Sequence, residues 1–423
     1  MEAVLIERCL WDETAPLPRR PAALPATTDI AIVGGGYTGL SAARTLARHG
    51  ASVTVLERHR TGWGASGRNG GFVLPGYQPD AECLVRRYGS ERARSLFADS
   101  LAAIRFVEDL IAEEAIDCEY SRRGAVTLAG RPRHLRDLER TRRTLREQFG
   151  HETDLLGSDE LRDEIDSPCY HGGLLDPAAG GLHPARYCAG LAAAATRAGA
   201  VMVEGVDVLG VKRVGGRTTL QTSAGPVRAA GVLVATNGYT GGAFPELRRR
   251  VVPIGSYVVA TARLEPSAAR GLIPRGRVMS DSWNLLHYFR MSDDGRLVFG
   301  GRASFTPTGI ARSARILARA MHRVFPSLAA VPIEFAWAGR VAFTRDRMPH
   351  AGRIEGAHYA LGYAGHGVAL STWLGALMGD ALAGRRSIPE LTGQPLRAVP
   401  LYRGTPWFLP AVGGYYRMKD WLA

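Results

Sequence analysis

The chain has 423 residues, 46% of them hydrophobic and 22% charged, with a formal net charge of +13 at pH 7. That length buries a sizeable core and suits two domains, and the composition excludes a disordered, collagenous or disulfide-framework protein. The charge is almost all arginine, since Lys212 and Lys419 are the two lysines. No basic block outruns Arg248-Arg249-Arg250 and no nucleic-acid-binding motif accompanies it, so the arginines read as an enzyme surface and no nucleic-acid partner is expected. The five cysteines (Cys9, Cys83, Cys118, Cys169, Cys188) are dispersed and form no C-x-x-C pair. This points to a reducing, cytoplasmic setting without structural zinc or any other metal site. The first residues contain acids and no apolar core of a signal peptide, and no apolar run reaches the length of a membrane span.

In chain order, residues 1–27 are proline-rich and are expected to run extended over the surface. Asp29 to Val33 is an apolar strand. Gly34-Gly35-Gly36-Tyr37-Thr38-Gly39 follows and fits G-x-G-x-x-G, then Leu40 to His49 has helical periodicity, and Ser52 to Leu56 is a second strand ending in Glu57. Each part has a mechanical reason: Gly34 for the tight turn, Gly36 for close approach of a pyrophosphate, Gly39 for close helix–strand packing. Ala43 and Gly50 continue the small-residue pattern. The helix N-terminus offers free N–H groups and a positive dipole end to phosphates. Glu57 stands where a carboxylate accepts hydrogen bonds from a ribose, which favours FAD or NAD over NADP and leaves those two open.

A glycine-rich loop spans Gly62 to Gly76, and helices are predicted at 90–115 and 132–149. Gly172 to Pro184 is a loop, Pro184 to Ala198 a helix with Leu191 to Ala195 on its buried face, and Val201 to Val203 a strand. Residues 206–234 alternate as a β-meander with turns at Gly215-Gly216 and Ala224-Gly225, closing on Val232 to Gly238. Residues 250–340 hold several strands and many aromatics. A last apolar helix is expected from Val368 to Leu382. Trp407-Phe408-Leu409 and Trp421-Leu422 are expected to pack on their own domain; the other reading is contact with a membrane.

Four segments together resemble the D-amino-acid-oxidase-like (DAO) family of FAD-dependent amine oxidoreductases. They are the unit at Thr28 to Glu57; the loop Gly64-Ala65-Ser66-Gly67-Arg68-Asn69-Gly70-Gly71-Phe72; Trp337 to Arg340 with Thr344 to Pro349; and Gly362-Tyr363-Ala364-Gly365-His366-Gly367-Val368. With Tyr288-Phe289-Arg290, this version is closest to the gamma-glutamylputrescine oxidoreductase branch. The resemblance implies an α/β fold: a Rossmann-type FAD-binding domain (1–80, 171–240 and 340–423) interleaved with an α+β substrate domain (81–170 and 241–339) on a mostly antiparallel sheet. It also implies an FAD site made by Gly34, Gly36, Tyr37, Thr38, Gly39, Glu57, Arg58, Ala65, Ser66, Arg68, Asn69, Gly70, Gly71, Val206, Ala235, Thr236, Asn237, Gly238, Gly339, Gly365, His366, Gly367 and Val368.

The implied reaction is hydride loss from the α-carbon of a neutral amine to flavin N5, giving an imine that water hydrolyses, with molecular oxygen or another acceptor reoxidising the flavin. Such chemistry asks for an aromatic pocket more than for acid–base groups. Tyr257, Trp283, His287, Tyr288, Phe289 and Trp373 are candidates for its wall or, equally, for plain core. Arg290 is the candidate partner of a substrate carboxylate. His366 either tunes or assists the flavin, or caps a turn. Sarcosine-oxidase-like relatives tether flavin through a cysteine where this chain has Val341, Ala342 and Phe343, so FAD is expected to be non-covalent. They also place an oxygen-activating lysine where this chain has Val298, which weakens the expectation of a fast oxidase. A flavin-dependent tailoring enzyme or monooxygenase on a larger amine, a NAD-dependent dehydrogenase and a nucleic-acid-associated flavoprotein are the other readings.

Overall fold

The nucleotide unit forms as its pattern requires. In the computed structural model, which describes residues 7–15, 22–214, 216–301 and 309–422, the strand Thr27–Val33 lies between Val53–Glu57 and Gly225–Val234, parallel to both. Val201–Glu204 extends the sheet beyond Val53–Glu57, and Ala357–Leu361 with His350–Ile354 extends it on the other side. Between Val201–Glu204 and the central strand, the chain makes the predicted meander, Val208–Val214, Arg217–Thr222 and Gly225–Val234. Gly215 of its first turn lies outside the described residues.

Helices Tyr37–Arg48 and Gly367–Leu382 cover one face of this sheet and pack on each other at backbone distance. A Cβ on Gly375 would stand 2.4 Å from the Thr38 carbonyl oxygen, and one on Gly379 would stand 2.7 Å from Thr45 Cβ. Register along the contact rises in both helices together, so they run parallel, and the second begins about two turns ahead of the contact.

The second sheet has the order Ile333–Phe343, Val252–Thr261, Leu297–Gly301, His287–Met291, Val278–Asp281, Ala125–Leu128, Gly173–Asp176 and Asp154–Leu156. All its pairings are antiparallel except Val278–Asp281 with Ala125–Leu128. Strand alternation gives it two distinct faces. Tyr257, Val259, Phe289, Phe299 and Ala336 face helix Ile310–Val324, whose Leu317 and Met321 close that core. Val258, Ala260, Val298, Phe335 and Trp337 face the first sheet's side of the molecule.

Three placements differ from the sequence reading. Helix Ala81–Glu113 begins nine residues early, bends at Gly89 (φ +77°), and buries Leu84, Leu96, Ile104 and Val107 in the core of the nucleotide sheet. Strand Gly173–Asp176 joins the second sheet although it follows residue 171. The lead-in is not wholly extended: Leu10–Thr14 is a helix with Leu10 and Trp11 about 1% exposed. The Trp11 indole N–H donates to the Asn69 carbonyl (2.9 Å) and the ring meets Trp337 edge-on. An indole among prolines gave no periodicity from which to read this burial.

Two outcomes follow. Gly375→Ala pushes a methyl into the Thr38 carbonyl and lowers stability by about 1–3 kcal/mol, read by urea denaturation. His183 is buried, and burial first, then Arg186 and Arg290, lowers its pKa to about 4. Its Nδ1 accepts from the Arg186 N–H, so Nε2 carries the proton and donates to Thr14 Oγ1 at 2.8 Å. A folded pKa below the unfolded value of 6.5 means that this stabilisation is full above pH 6.5 and is lost as pH falls towards 4. His183→Asn keeps a capping acceptor but does not titrate. Its melting temperature therefore falls less steeply than the wild type's between those pH values, and equal slopes would refute the assignment.

Candidate FAD site

The carboxyl ends of the parallel strands gather the first half of the site. Gly34 has φ +111°, and a Cβ there would meet the Ala235 carbonyl oxygen at 2.8 Å. A Cβ on Gly39 would lie 2.0 Å from the Gly34 oxygen. Both positions therefore exclude any other residue, for the reasons the motif suggests. Gly36 is extended and sits just before the helix. Glu57 accepts from the Gly35 N–H through Oε2 (2.8 Å) and from the His59 N–H through Oε1 (2.9 Å), which fixes its carboxylate at the lip of the turn. Arg58 pairs with Asp207 at 2.9 Å, and the Val206 N–H donates to the Glu57 carbonyl.

The second half is the loop Gly64 to Phe72. Ser66 Oγ accepts from the Tyr37 N–H at 3.0 Å, bringing the loop against the start of the first helix. Asn69 is a pin: its amide nitrogen donates to the Ala65 and Ser66 carbonyls, and its oxygen accepts from the Gly71 N–H (2.7 Å). The Arg68 guanidinium stacks on Trp63 and donates to the Trp63 and Ala338 carbonyls. Gly70 lies under the Tyr288 ring, and Gly71 (φ +77°) accepts through its carbonyl from the Leu182 N–H.

The remaining motifs close the ring. Asn237, with φ +43°, accepts from the Gly362 N–H at 3.0 Å; Gly238 touches the Arg340 backbone; the Thr236 and Thr240 hydroxyls share a hydrogen bond. Thr38 Oγ1 and Tyr363 Oη meet at 2.8 Å, tying the first helix to the G-Y-A-G-H-G-V segment. Gly365 has φ +103°, His366 precedes the helix that starts at Gly367, and Val368 is buried. The His366 side chain does not cap that helix, and its Nδ1 is buried with no hydrogen-bond partner. Burial lowers its pKa to about 4, so the ring is neutral at pH 7. A cavity of about 580 Å³ lies between the Glu57 strand end and the glycine-rich loop, lined by Asp12, His59, Arg60, Trp63, Arg68, Glu204 and Gly205.

These features fit FAD: a side-chain-free turn at one helix N-terminus, a fixed carboxylate for a ribose, and a second parallel helix N-terminus beside an unpartnered ring nitrogen. The family model described as FAD dependent oxidoreductase (DAO) matches residues 29–381. The chain belongs to the DAO family of FAD-dependent oxidoreductases. It is 35% identical over 360 residues to gamma-glutamylputrescine oxidoreductase of Escherichia coli, covering 85% of this chain and 84% of that one. It is 34% identical to the probable oxidoreductase OrdL of Rhizobium meliloti over 420 residues, 97% of each. Its fold matches the crystal structure of glycine oxidase from Geobacillus kaustophilus with a TM-score of 0.73 at 21% identity, over 88% of this chain and 99% of that one. The protein is thus an FAD-dependent oxidoreductase of the amine and amino-acid type.

Within this DAO fold, the catalytic candidates separate by sheet face. Tyr288 faces the glycine-rich loop: its ring meets Phe72 edge-on at 5.7 Å, and its hydroxyl lies 3.1 Å from Ser256 Oγ. Arg290 shares that face and is buried; its Nη1 donates to the Leu182 carbonyl at 2.8 Å and its Nε to the Met291 carbonyl at 3.1 Å. Through these two bonds it braces the loop from behind. Tyr257, His287 and Phe289 sit on the opposite face, against the Phe299 core. One residue of strand offset decides this. Trp283 packs on His134 and under Arg131, away from the loop, and Trp373 packs against the core beneath the nucleotide sheet. Gly339 stands beside Arg68 and near Tyr239.

Tyr239 and Trp11 went unread in the sequence, and Trp337 entered only as part of a motif, not as a site residue. The Tyr239 hydroxyl accepts from the Arg340 N–H, and its ring lies between Trp63 and the Arg340 guanidinium. Trp337 donates its indole N–H to the Arg68 carbonyl at 2.9 Å. The Asn237-Gly238-Tyr239 and Trp337-Ala338-Gly339-Arg340 strings held the signal, which lay in the aromatic beside each glycine.

Glu57→Gln keeps the side-chain length, sets an amide NH2 against one of the two backbone N–H donors, and removes the charge that would meet a ribose hydroxyl. FAD binding to deflavinated protein weakens by about 10- to 100-fold, the worth of a hydrogen bond to a charged group, as measured by quenching of flavin fluorescence.

Proposed function

We propose that the protein oxidises an aliphatic amine that carries no carboxylate on the reacting carbon, with FAD held non-covalently. The observation that carries this reading is the engagement of Arg290 and Arg68. Arg68 lies in the glycine-rich loop and Arg290 stands against Gly71, and each gives its Nε and Nη1 to backbone carbonyls. The relative named gamma-glutamylputrescine oxidoreductase supports the substrate class, a primary amine at the end of a polar chain. Val341, Ala342 and Phe343 offer no nucleophile for a covalent tether, and the described cysteines lie elsewhere.

When bound, FAD supplies a two-electron acceptor. The chain's own contribution is placement. The glycine turn, Glu57 and the Ser66 loop hold the dinucleotide; Tyr288, with Ser256 behind its hydroxyl, forms the wall opposite Gly70. Apolar surface around that wall disfavours the ammonium form, so the amine reacts uncharged and its carbon–hydrogen bond can be given up as hydride. Loss of the remaining N–H proton leaves an imine, and water converts it to carbonyl compound and ammonia. Val298, where related oxidases place a lysine, is buried among Val258, Ala260 and Trp337. Lys212 lies in the meander and Lys419 in the C-terminal helix. No lysine is thus available to speed the reaction with oxygen, and an acceptor other than oxygen fits better.

Anaerobic mixing with an amine panel tests both parts. Gamma-glutamyl amines and diamines bleach the flavin absorbance, whereas glycine and sarcosine do so at least tenfold more slowly; the reverse order would overturn the substrate class. On admitting air, absorbance returns slowly compared with an artificial acceptor such as a phenazine; rapid return with stoichiometric hydrogen peroxide would overturn the acceptor assignment.

A further inference from the structure

Seven large hydrophobic side chains are markedly exposed among the described residues, and five of them fall in the last stretch of chain: Leu401, Trp407, Tyr415, Met418 and Trp421. Exposed singly, such residues need no explanation; gathered, they mark an interaction surface. Helix Leu409–Leu422 shows how they are gathered. Its inner face carries Leu409, Val412 and Tyr416, which pack with Ile254, Leu285, Phe343 and Ala364. That part of the tail docks on its own protein, as the sequence suggests. Ala411, Tyr415, Met418 and Trp421 follow one another by four, three and three residues, so they form a second apolar stripe on the outer side. Trp407 is 64% and Trp421 78% exposed. The Trp407 indole donates to the Leu401 carbonyl, which ties these two exposed residues to each other just before the helix.

Charge selects the occupant. Arg417 and Lys419 flank the outer stripe on either side and are exposed. The one acid of the helix, Asp420, is turned inward: it accepts from the Asn284 backbone and side-chain N–H groups and from the Leu285 N–H, at 2.7–3.0 Å. The face shown to solvent is therefore aromatic, apolar and basic, on a protein of net charge +13. No helix among the described residues is long and apolar enough to cross a membrane. A short helix with tryptophan and tyrosine at its surface and flanking cations suits the plane of an anionic lipid headgroup layer, where rings sit at the boundary and basic side chains reach the phosphates.

We propose that the outer face of helix Leu409–Leu422 is a docking surface for an anionic lipid bilayer. The inner face of the same helix packs on Ala364 of the G-Y-A-G-H-G-V segment and on the loop that leads to Tyr288, so docking places the catalytic side of the molecule next to the membrane. This does not depend on which amine is oxidised.

The test is co-sedimentation of the full-length, FAD-loaded protein with phosphatidylcholine vesicles, with and without phosphatidylglycerol. The protein pellets with the anionic vesicles and stays in solution with pure phosphatidylcholine, and added salt weakens the binding. Arg417→Gln with Lys419→Gln weakens it about tenfold or more. Tyr415→Ser, Met418→Ser and Trp421→Ser together abolish it, while flavin content and melting temperature stay at wild-type values because these side chains face outward. Failure to pellet with anionic vesicles would overturn the proposal, as would binding indifferent to both variants. A dimer in sedimentation velocity that the triple serine variant dissolves would also overturn it, since a second copy would then own the face.

Discussion

The close parallel contact of helices Tyr37–Arg48 and Gly367–Leu382 is the constraint from which the cofactor site follows. Helices normally keep their axes 8–10 Å apart, and only the smallest residues let one lie on another's backbone. Gly375 and Gly379 supply that freedom, with the Thr38 carbonyl and Thr45 filling the space a side chain would need. Parallel alignment sends both positive dipole ends towards the carboxyl ends of the strands, where the anionic parts of a dinucleotide belong. The hydrogen bond between Thr38 and Tyr363, buried between the two helix starts, holds the stagger.

A second constraint is the immobilisation of the glycine-rich loop. Its four glycines leave it little side-chain packing of its own, so other elements fasten it. Trp11 takes the Asn69 carbonyl, Trp337 takes the Arg68 carbonyl, and Asn69 staples the turn from within. Arg290 and Tyr288 press from the substrate sheet. Three elements remote in sequence, the Trp11 helix and the strands Ile333–Phe343 and His287–Met291, thus converge on nine residues. A backbone that must approach a flat ring cannot be positioned by its own side chains, so tryptophan N–H donors on rigid neighbours do it instead.

Much of the nucleotide half was legible because its signals are local. The strand, the turn glycines, the helix and Glu57 lie within about thirty residues, and each follows from backbone sterics that neighbouring residues settle. The meander was legible through strict alternation and turn residues. The catalytic half was less so. Tyr257, Tyr288, Phe289 and Arg290 are equally plausible as a string, yet one strand register turns Tyr288 to the loop and Tyr257 and Phe289 into the opposite core, while Arg290 braces two backbone carbonyls. Helix Ala81–Glu113 and the Trp11 helix also needed tertiary context, since what they bury against comes from distant chain.

By itself, the sequence determined the chemistry that depends on residue type within short reach: a dinucleotide turn that only glycine permits, an acid for a ribose, and a chain without cysteine or lysine where related flavoenzymes use them. Only the tertiary structure decided which face each aromatic serves, which carbonyls Arg68 and Arg290 brace, and how the terminal helix divides its apolar residues between core and solvent. The physical reason is range. Turn sterics and helix dipoles act over a few residues, whereas burial and hydrogen-bond satisfaction belong to whichever segment the fold brings alongside.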